Sequence, residues 1–234
     1  MTHHEKLDRA RRLLASIEKN HSPTALASSF GAEDMVLLDL IAHDGLAIDI
    51  FTLDTGRLPR ETHRLMAEVR RRYGLEIEVF SPWPDSVEAY VAQNGIDGFY
   101  DGVEQRIACC HVRKVEPLRR ALASRRGWIT GLRREQADSR VNVVEAEHDP
   151  VQRKWKFSPL AEWTHDDVWS YLRDNRVPYN ALHDRGYPSI GCEPCTRATK
   201  PGEHPRAGRW WWEQEAAKKE CGLHAIPIRV AEPA

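Results

Sequence analysis

Cysteine is scarce in this chain, and its total, five, is odd. An odd count in a chain with no export signal argues against a disulfide framework. The N-terminus, Met1-Thr2-His3-His4-Glu5-Lys6, lacks the apolar run of a secretory signal. Nowhere does an uninterrupted apolar stretch approach the roughly 20 residues of a membrane span. The expectation is a cytoplasmic protein without a membrane partner. Charge of one sign is not in excess either. The formal net charge is -1, so no global field points to nucleic acid or to a lipid surface. Internal repeats and low-complexity tracts are absent, which excludes solenoids and disordered linkers.

What is there suits a packed domain. Of 234 residues, 41% are hydrophobic and 29% charged, enough for a substantial core. Basic residues gather locally, at Arg133-Arg134 to Arg140 and across Arg197, Lys200, Arg206, Arg209, Lys218 and Lys219. Such clusters on a neutral protein suit a small anionic ligand better than a polyanion. Leu7, Ala10, Leu14 and Ile17 recur at helical spacing in an amphipathic opening helix. Thr24–Ser29 reads as a buried strand, and Ala32–Ala42, apolar nearly all round, as a core helix. Ala47–Leu53 reads as a second strand. A helix from Pro59 to Tyr73 is stopped by Gly74. Glu76–Phe80 is a third strand, and His111–Ser124 a helix beginning at a cysteine pair. Gly127–Gly131 is a further strand, Lys154–Phe157 an edge strand, and Thr164-His165-Asp166-Asp167 a capping box opening a helix to Asn175. Beyond Gly186 the chain becomes loop-rich. Alternating β and α elements predict an α/β fold, a parallel sheet with helices on both faces.

In such sheets ligands bind beyond the C-terminal strand ends, where three loops are expected. Ser28-Ser29-Phe30-Gly31-Ala32-Glu33-Asp34 joins strand to helix, and free N–H groups there would cradle a phosphate, though without a Walker lysine. Asp54-Thr55-Gly56-Arg57 follows the second strand. Arg133–Arg140 offers guanidinium forks for phosphate or sulfate oxygens. The alternatives are a tight α/β connection and a solvated charged loop.

The cysteines divide four plus one. Cys109-Cys110 are adjacent, and Cys192-Glu193-Pro194-Cys195 is a Cys-x-x-Cys. Four soft thiolates suit iron–sulfur or zinc. Zinc knuckles draw ligand pairs from Cys-x-x-Cys turns; an adjacent pair favours a cluster, whose irons each take a different sulfur. Cys221 stands apart among Lys218, Lys219 and His224, cations that stabilise a thiolate, and reads as a nucleophile. Trp210-Trp211-Trp212 reads as a packing anchor for the C-terminal segment. His63, His148 and His183 are assigned no role.

These residues resemble assimilatory adenosine 5′-phosphosulfate (APS) reductases, of the PAPS/APS reductase family. The likeness lies in the cysteine set with the tail Glu220-Cys221-Gly222-Leu223-His224. It extends to Ser29-Phe30-Gly31-Ala32-Glu33-Asp34, Leu53-Asp54-Thr55-Gly56-Arg57 and Thr130-Gly131-Leu132-Arg133-Arg134-Glu135-Gln136, and covers about Ala25 to His224. It implies a Rossmann-like, adenine nucleotide α-hydrolase type of fold over 1–205 and a catalytic C-terminal segment over 206–234. Thioredoxin-dependent reduction of APS to sulfite and AMP, through an S-sulfonate on Cys221, is the implied activity. Cys109, Cys110, Cys192 and Cys195 would hold a four-iron, four-sulfur (4Fe-4S) cluster. Ser28, Ser29, Gly31, Asp54, Gly56, Arg57, Lys114, Arg133, Arg140, Arg206, Arg209 and His224 would contact substrate, the cations Lys114, Arg206 and Arg209 at the sulfate end. Thioredoxin or glutaredoxin is the implied reductant, and a homo-oligomer is compatible. Ala137-Asp138-Ser139 departs from the family's Ser-Val/Pro-Thr, which bears on nucleotide contacts and leaves the chemistry untouched.

Three rivals are weighed on residues. Reductases for the 3′-phosphorylated substrate generally lack the four cluster cysteines. A tRNA-thiolating or ATP-pyrophosphatase enzyme would not carry the Glu-Cys-Gly-Leu-His tail. A zinc-binding interaction module would leave Cys221 and the loops unexplained.

Overall fold

A computed structural model of the protein describes residues 1–213 and 223; Cys221 and His224 lie outside the described residues. The six strands are β1 (Thr24–Ala27), β2 (Asp49–Leu53), β3 (Ile77–Phe80), β4 (Gly127–Ile129), β5 (Ala146–Asp149) and β6 (Lys154–Phe157). They form one sheet in the order β3-β2-β1-β4-β6-β5. Every pairing is parallel except β5 with β6.

Period-two alternation assigns the two faces of this sheet. Leu26, Ile50 and Ile129 point to one side, where α1 (His3–His21), α2 (Ala32–His43), α3 (Arg60–Tyr73) and α7 (His165–Asp174) pack through Leu14, Leu37, Val69 and Leu172. Ala25, Phe51 and Trp128 point to the other, against Leu118, Ala121 and Leu122. Each aliphatic side chain fully buried in these layers contributes roughly 1.5–3 kcal/mol. Local signals agree with the layering. Thr2 and Glu5 form a reciprocal cap at the start of α1, Thr164 and Asp167 do the same for α7, and Gly74 ends α3 at φ 65°.

The structure corrects two expectations. Lys154–Phe157 is not the edge: β6 lies between β4 and β5, and Phe157 is buried against the α1 side. The edge is β5, whose Ala-Glu-His-Asp sequence has no apolar alternation to reveal it. The helix expected to begin at Cys109-Cys110 begins earlier. It runs as α5 (Val103–Cys110), passes through a π turn at His111–Val115 and continues as α6 (Glu116–Leu122). Pro117 lacks the N–H for a regular i−4 bond, and the wider turn just before it accommodates that loss. A further helix, α4 (Pro84–Asn94), buries only Tyr90, so apolar periodicity does not announce it. Among the described residues no helix is long and apolar enough to cross a membrane.

Candidate active site

Sheet order places the site. β1 has β2 on one side and β4 on the other; the chain winds outward through β2 and β3, then returns to β4 across β1, and this reversal opens a crevice at the strand ends. A cleft of about 480 Å³ lies there, within the range of small-molecule sites. Ser28, Ser29 and Gly31 after β1, Thr55 after β2, and Thr130, Arg133 and Arg140 after β4 all line it, together with Lys114, Arg206 and Arg209.

The loop after β1 is built differently from a free-amide cradle. Phe30 is fully buried with φ 59°, a strained conformation for a non-glycine residue. The turn brings the Asp34 carboxylate onto the Ser29 amide (2.6 Å) and hydroxyl (2.7 Å). That amide is therefore committed to a protein carboxylate. Burial, partly offset by the Ser29 hydrogen bonds, pushes the Asp34 carboxyl up to about 6. Gly131 is required alongside: a Cβ there would stand 2.5 Å from Asp34 Oδ1 and 2.8 Å from Glu33 Cβ.

Arg133 is buried and engaged within the protein. Its Nη2 pairs with Glu33 (2.7 Å) and its Nη1 with Glu135 (3.2 Å) and the Trp163 carbonyl (3.2 Å). Burial alone would raise the Glu33 carboxyl, but Arg133 beside it brings it below its ordinary value. Arg140 donates to Gln136 Oε1 at 2.6 Å.

The loop after β2 serves two sides. Thr55 faces the cleft, whereas Asp54, Gly56 and Arg57 do not line it. Asp54 accepts from the Gly56 amide (2.9 Å) and meets His63 Nε2 (3.0 Å), so a histidine given no role by sequence orders this turn. Gly56 has φ 68°. Arg57 lines a second recess, with its guanidinium 4.8 Å from the Phe99 ring centroid.

That second recess gathers the four cysteines. Cys109, Cys110, Cys192 and Cys195 are buried free thiols lining one small pocket with Arg57, Arg106, Arg113, Lys114 and Trp210. The end of α5 carries the adjacent pair. A single 3-10 turn, closed by Cys195 N–H to the Cys192 carbonyl (3.0 Å), presents the other two. Thr55 Oγ1 lies 3.3 Å from Cys192 Sγ, Arg113 donates to the Thr55 carbonyl at 2.7 Å, and Glu193 N–H donates to the Arg57 carbonyl at 2.8 Å. These bonds tie the pocket to the end of β2. Burial would raise the Cys192 thiol, yet Lys114, the Thr55 hydroxyl and Arg209 together hold it below its ordinary value. Burial and then the Cys192 charge push Cys195 up to about 12; burial likewise raises Cys109. Among the described residues no three His, Cys, Asp or Glu side chains surround a single metal ion.

The two recesses share a wall, because Lys114 and Trp210 line both. Arg209 is buried and donates to the Ile190 carbonyl (3.2 Å) while facing the cleft; its N–H bonds the Arg206 carbonyl (3.0 Å). Leu223, two residues past Cys221, also lines the cleft. Sequence reasoning did not single out Asp34, Thr55 or Arg113. Thr55 and Asp34 lay within quoted motifs, and Arg113 adjoins Lys114, but no local signal gave any of the three a role. His183 lines the cleft, its ring 5.2 Å from that of Trp169; His148 packs at 6.2 Å on Trp155.

Comparison with known proteins places this geometry. Residues 23–198 match the model of the phosphoadenosine phosphosulfate reductase domain. The chain is similar to an adenosine 5′-phosphosulfate reductase of Burkholderia cepacia, with 54% identity over 95% of this chain and 89% of the relative. A protein of the same name from Allochromatium vinosum is 51% identical over 94% and 86%. Among solved structures, a phosphoadenylyl-sulfate reductase from Candida auris in complex with phosphate superposes with a TM-score of 0.70 at 26% identity, covering 80% of this chain and 90% of that one. An FMN adenylyltransferase from Candida glabrata, 16% identical with a TM-score of 0.57 over 97% of this chain and 80% of that one, shares the fold.

Proposed function

The chain belongs to the phosphoadenosine phosphosulfate reductase domain family, and on that premise we propose that it reduces adenosine 5′-phosphosulfate to sulfite and AMP in sulfate assimilation. The observation that carries this reading is the wall of Lys114 and Trp210 common to cleft and cysteine pocket. Nucleoside and phosphate would occupy the cleft over β1 and β4, with the sulfate at the end lined by Lys114, Arg206 and Arg209. Those cations offset the repulsion between a thiolate and an anionic sulfuryl centre, and stabilise charge as the transition state forms.

Cys221, in the segment 206–234, would supply the thiolate. Its sulfur attacks the sulfate sulfur; the S–S bond forms as the sulfur–oxygen bond to phosphate breaks, and AMP leaves with the electron pair. A thiolate of thioredoxin, or of glutaredoxin, then attacks the Cys221 sulfur and expels sulfite. Its second thiol resolves the mixed disulfide, so the reductant is oxidised and Cys221 restored.

The cysteine pocket fits a 4Fe-4S cluster. Four buried thiols spread round a pocket rather than a point suit several irons better than one zinc. Of the basic side chains lining that pocket, Arg57, Arg113 and Lys114 would compensate its charge, Arg106 being paired with Glu213, and the Trp210 Nε1 donor beside it is buried without a hydrogen-bond partner. When bound, the group would supply negative charge and a rigid frame that orients Lys114. The test is sulfite release from APS and from its 3′-phosphorylated form, with thioredoxin as reductant. Turnover favouring APS is expected; failure on both substrates would overturn the reading, and preference for the phosphorylated form would reassign the substrate.

A further inference from the structure

Beside the cysteine pocket stands an ion pair that this chemistry does not use. Arg106, on α5, is 1% exposed. Its Nε contacts Glu213 Oε1 at 2.5 Å, and its guanidinium lies 4.7 Å from the Trp210 ring centroid. Arg209 also stacks on that ring, again at 4.7 Å. Trp210 is buried with φ 43°, a strained conformation held by its N–H bond to the Cys195 carbonyl (3.1 Å). Trp212 packs on Tyr100 at 4.5 Å, and the Tyr100 hydroxyl donates to the Pro194 carbonyl at 2.8 Å.

Burying two charges gains little net stability, because desolvation offsets their attraction; removing one partner strands the other. What such a pair does supply is a fixed geometry. Here it fixes a short segment, residues 206–213, that holds two cations of the cleft and ends eight residues before Cys221. We propose that Arg106 and Glu213 are positioning residues. Their ion pair, with Trp210 clamped between Arg106 and Arg209, holds the C-terminal segment so that Arg209 faces the sulfate end and the chain sets out toward Cys221 from a fixed point. This inference rests on the proposed sulfuryl transfer for its kinetic consequence, but not for its structural one.

The test uses the full chain, purified anaerobically, as Arg106→Met, Glu213→Gln and the double variant. Hydrogen–deuterium exchange of the peptide spanning 206–213 should rise in each. Single-turnover formation of S-sulfocysteine at saturating APS should slow by about tenfold or more in each single variant, and no further in the double. Iron content, and the rate at which a dithiol discharges a preformed adduct, should stay at wild-type values. A general loss of stability would not separate the two half-reactions in this way. Wild-type exchange and transfer rates in Glu213→Gln, or additive losses in the double variant, would overturn the proposal. So would loss of iron in Arg106→Met with Glu213→Gln unaffected, which would assign Arg106 to the cysteine pocket. If Arg106→Met does not fold, Glu213→Gln and Arg106→Lys decide by the same readouts. Should the wild type form no adduct, the reaction is misassigned, and the exchange measurement alone judges the clamp.

Discussion

Asp34 sits at the foot of the cleft, buried, with its carboxylate on the Ser29 amide and hydroxyl. Burial lifts its folded-state value to about 6 from the ordinary 3.8. A carboxyl raised on folding binds its proton more tightly in the native state, so its contribution to stability falls as pH climbs from about 3.8 to about 6. Above that window the ionised group is a cost. Asp34→Asn should therefore stabilise the protein at pH 8, by on the order of 1–3 kcal/mol, and change little at pH 4. Urea denaturation at the two pH values checks this; equal effects at both would show that ionisation of Asp34 is not the cause. At this scale the sequence was informative where chemistry demands a rare residue type. The two cysteine pairs, widely separated in the chain, do meet in one pocket with Lys114. The sequence fell short where a role depends on burial: Glu33 and Asp34 sit in a quoted motif but look like surface charges until the fold encloses them, and Arg133, read as a fork for substrate oxygens, pairs with Glu33 and Glu135.

Two elements meet tightly where the exit of β4 passes the start of α2. Gly131 leaves no room for a side chain against Glu33 and Asp34. Gly131→Ala should push these elements apart, costing about 1–3 kcal/mol of stability and weakening nucleotide binding. Chemical denaturation and calorimetry with AMP check it, and unchanged values for both would mean the approach is looser than described. Strands β1, β2 and β4 and helices α1, α2, α3 and α7 were legible because burial on one or two faces imposes a period. β3, which buries none of its residues, was legible from its polar–apolar alternation, whereas β5 and α4 were not. β5 and α4 each bury one residue. The π turn joining α5 to α6 was hidden for another reason: Val112, Val115, Leu118 and Leu122 read as one face of a continuous helix across it.

Across the whole molecule, the cysteine pocket and the cleft belong to one body, tied by Thr55, Arg113 and Glu193. Anaerobically purified protein should accordingly be coloured and carry about four irons per chain, the stoichiometry of the 4Fe-4S cluster proposed for the pocket. Cys192→Ser should lose most of that iron and with it most sulfite production; full iron content in this variant would remove Cys192 from the ligand set. The central claim, that Cys221 receives the sulfuryl group, is tested most directly by intact-protein and peptide mass measurement after mixing with APS in the absence of any reductant. The account predicts a gain of one SO₃ on the peptide containing Cys221, discharged as sulfite when thioredoxin is added and never formed by Cys221→Ser. An adduct on Cys109, Cys110, Cys192 or Cys195, or sulfite released by the Cys221→Ser protein, would contradict it.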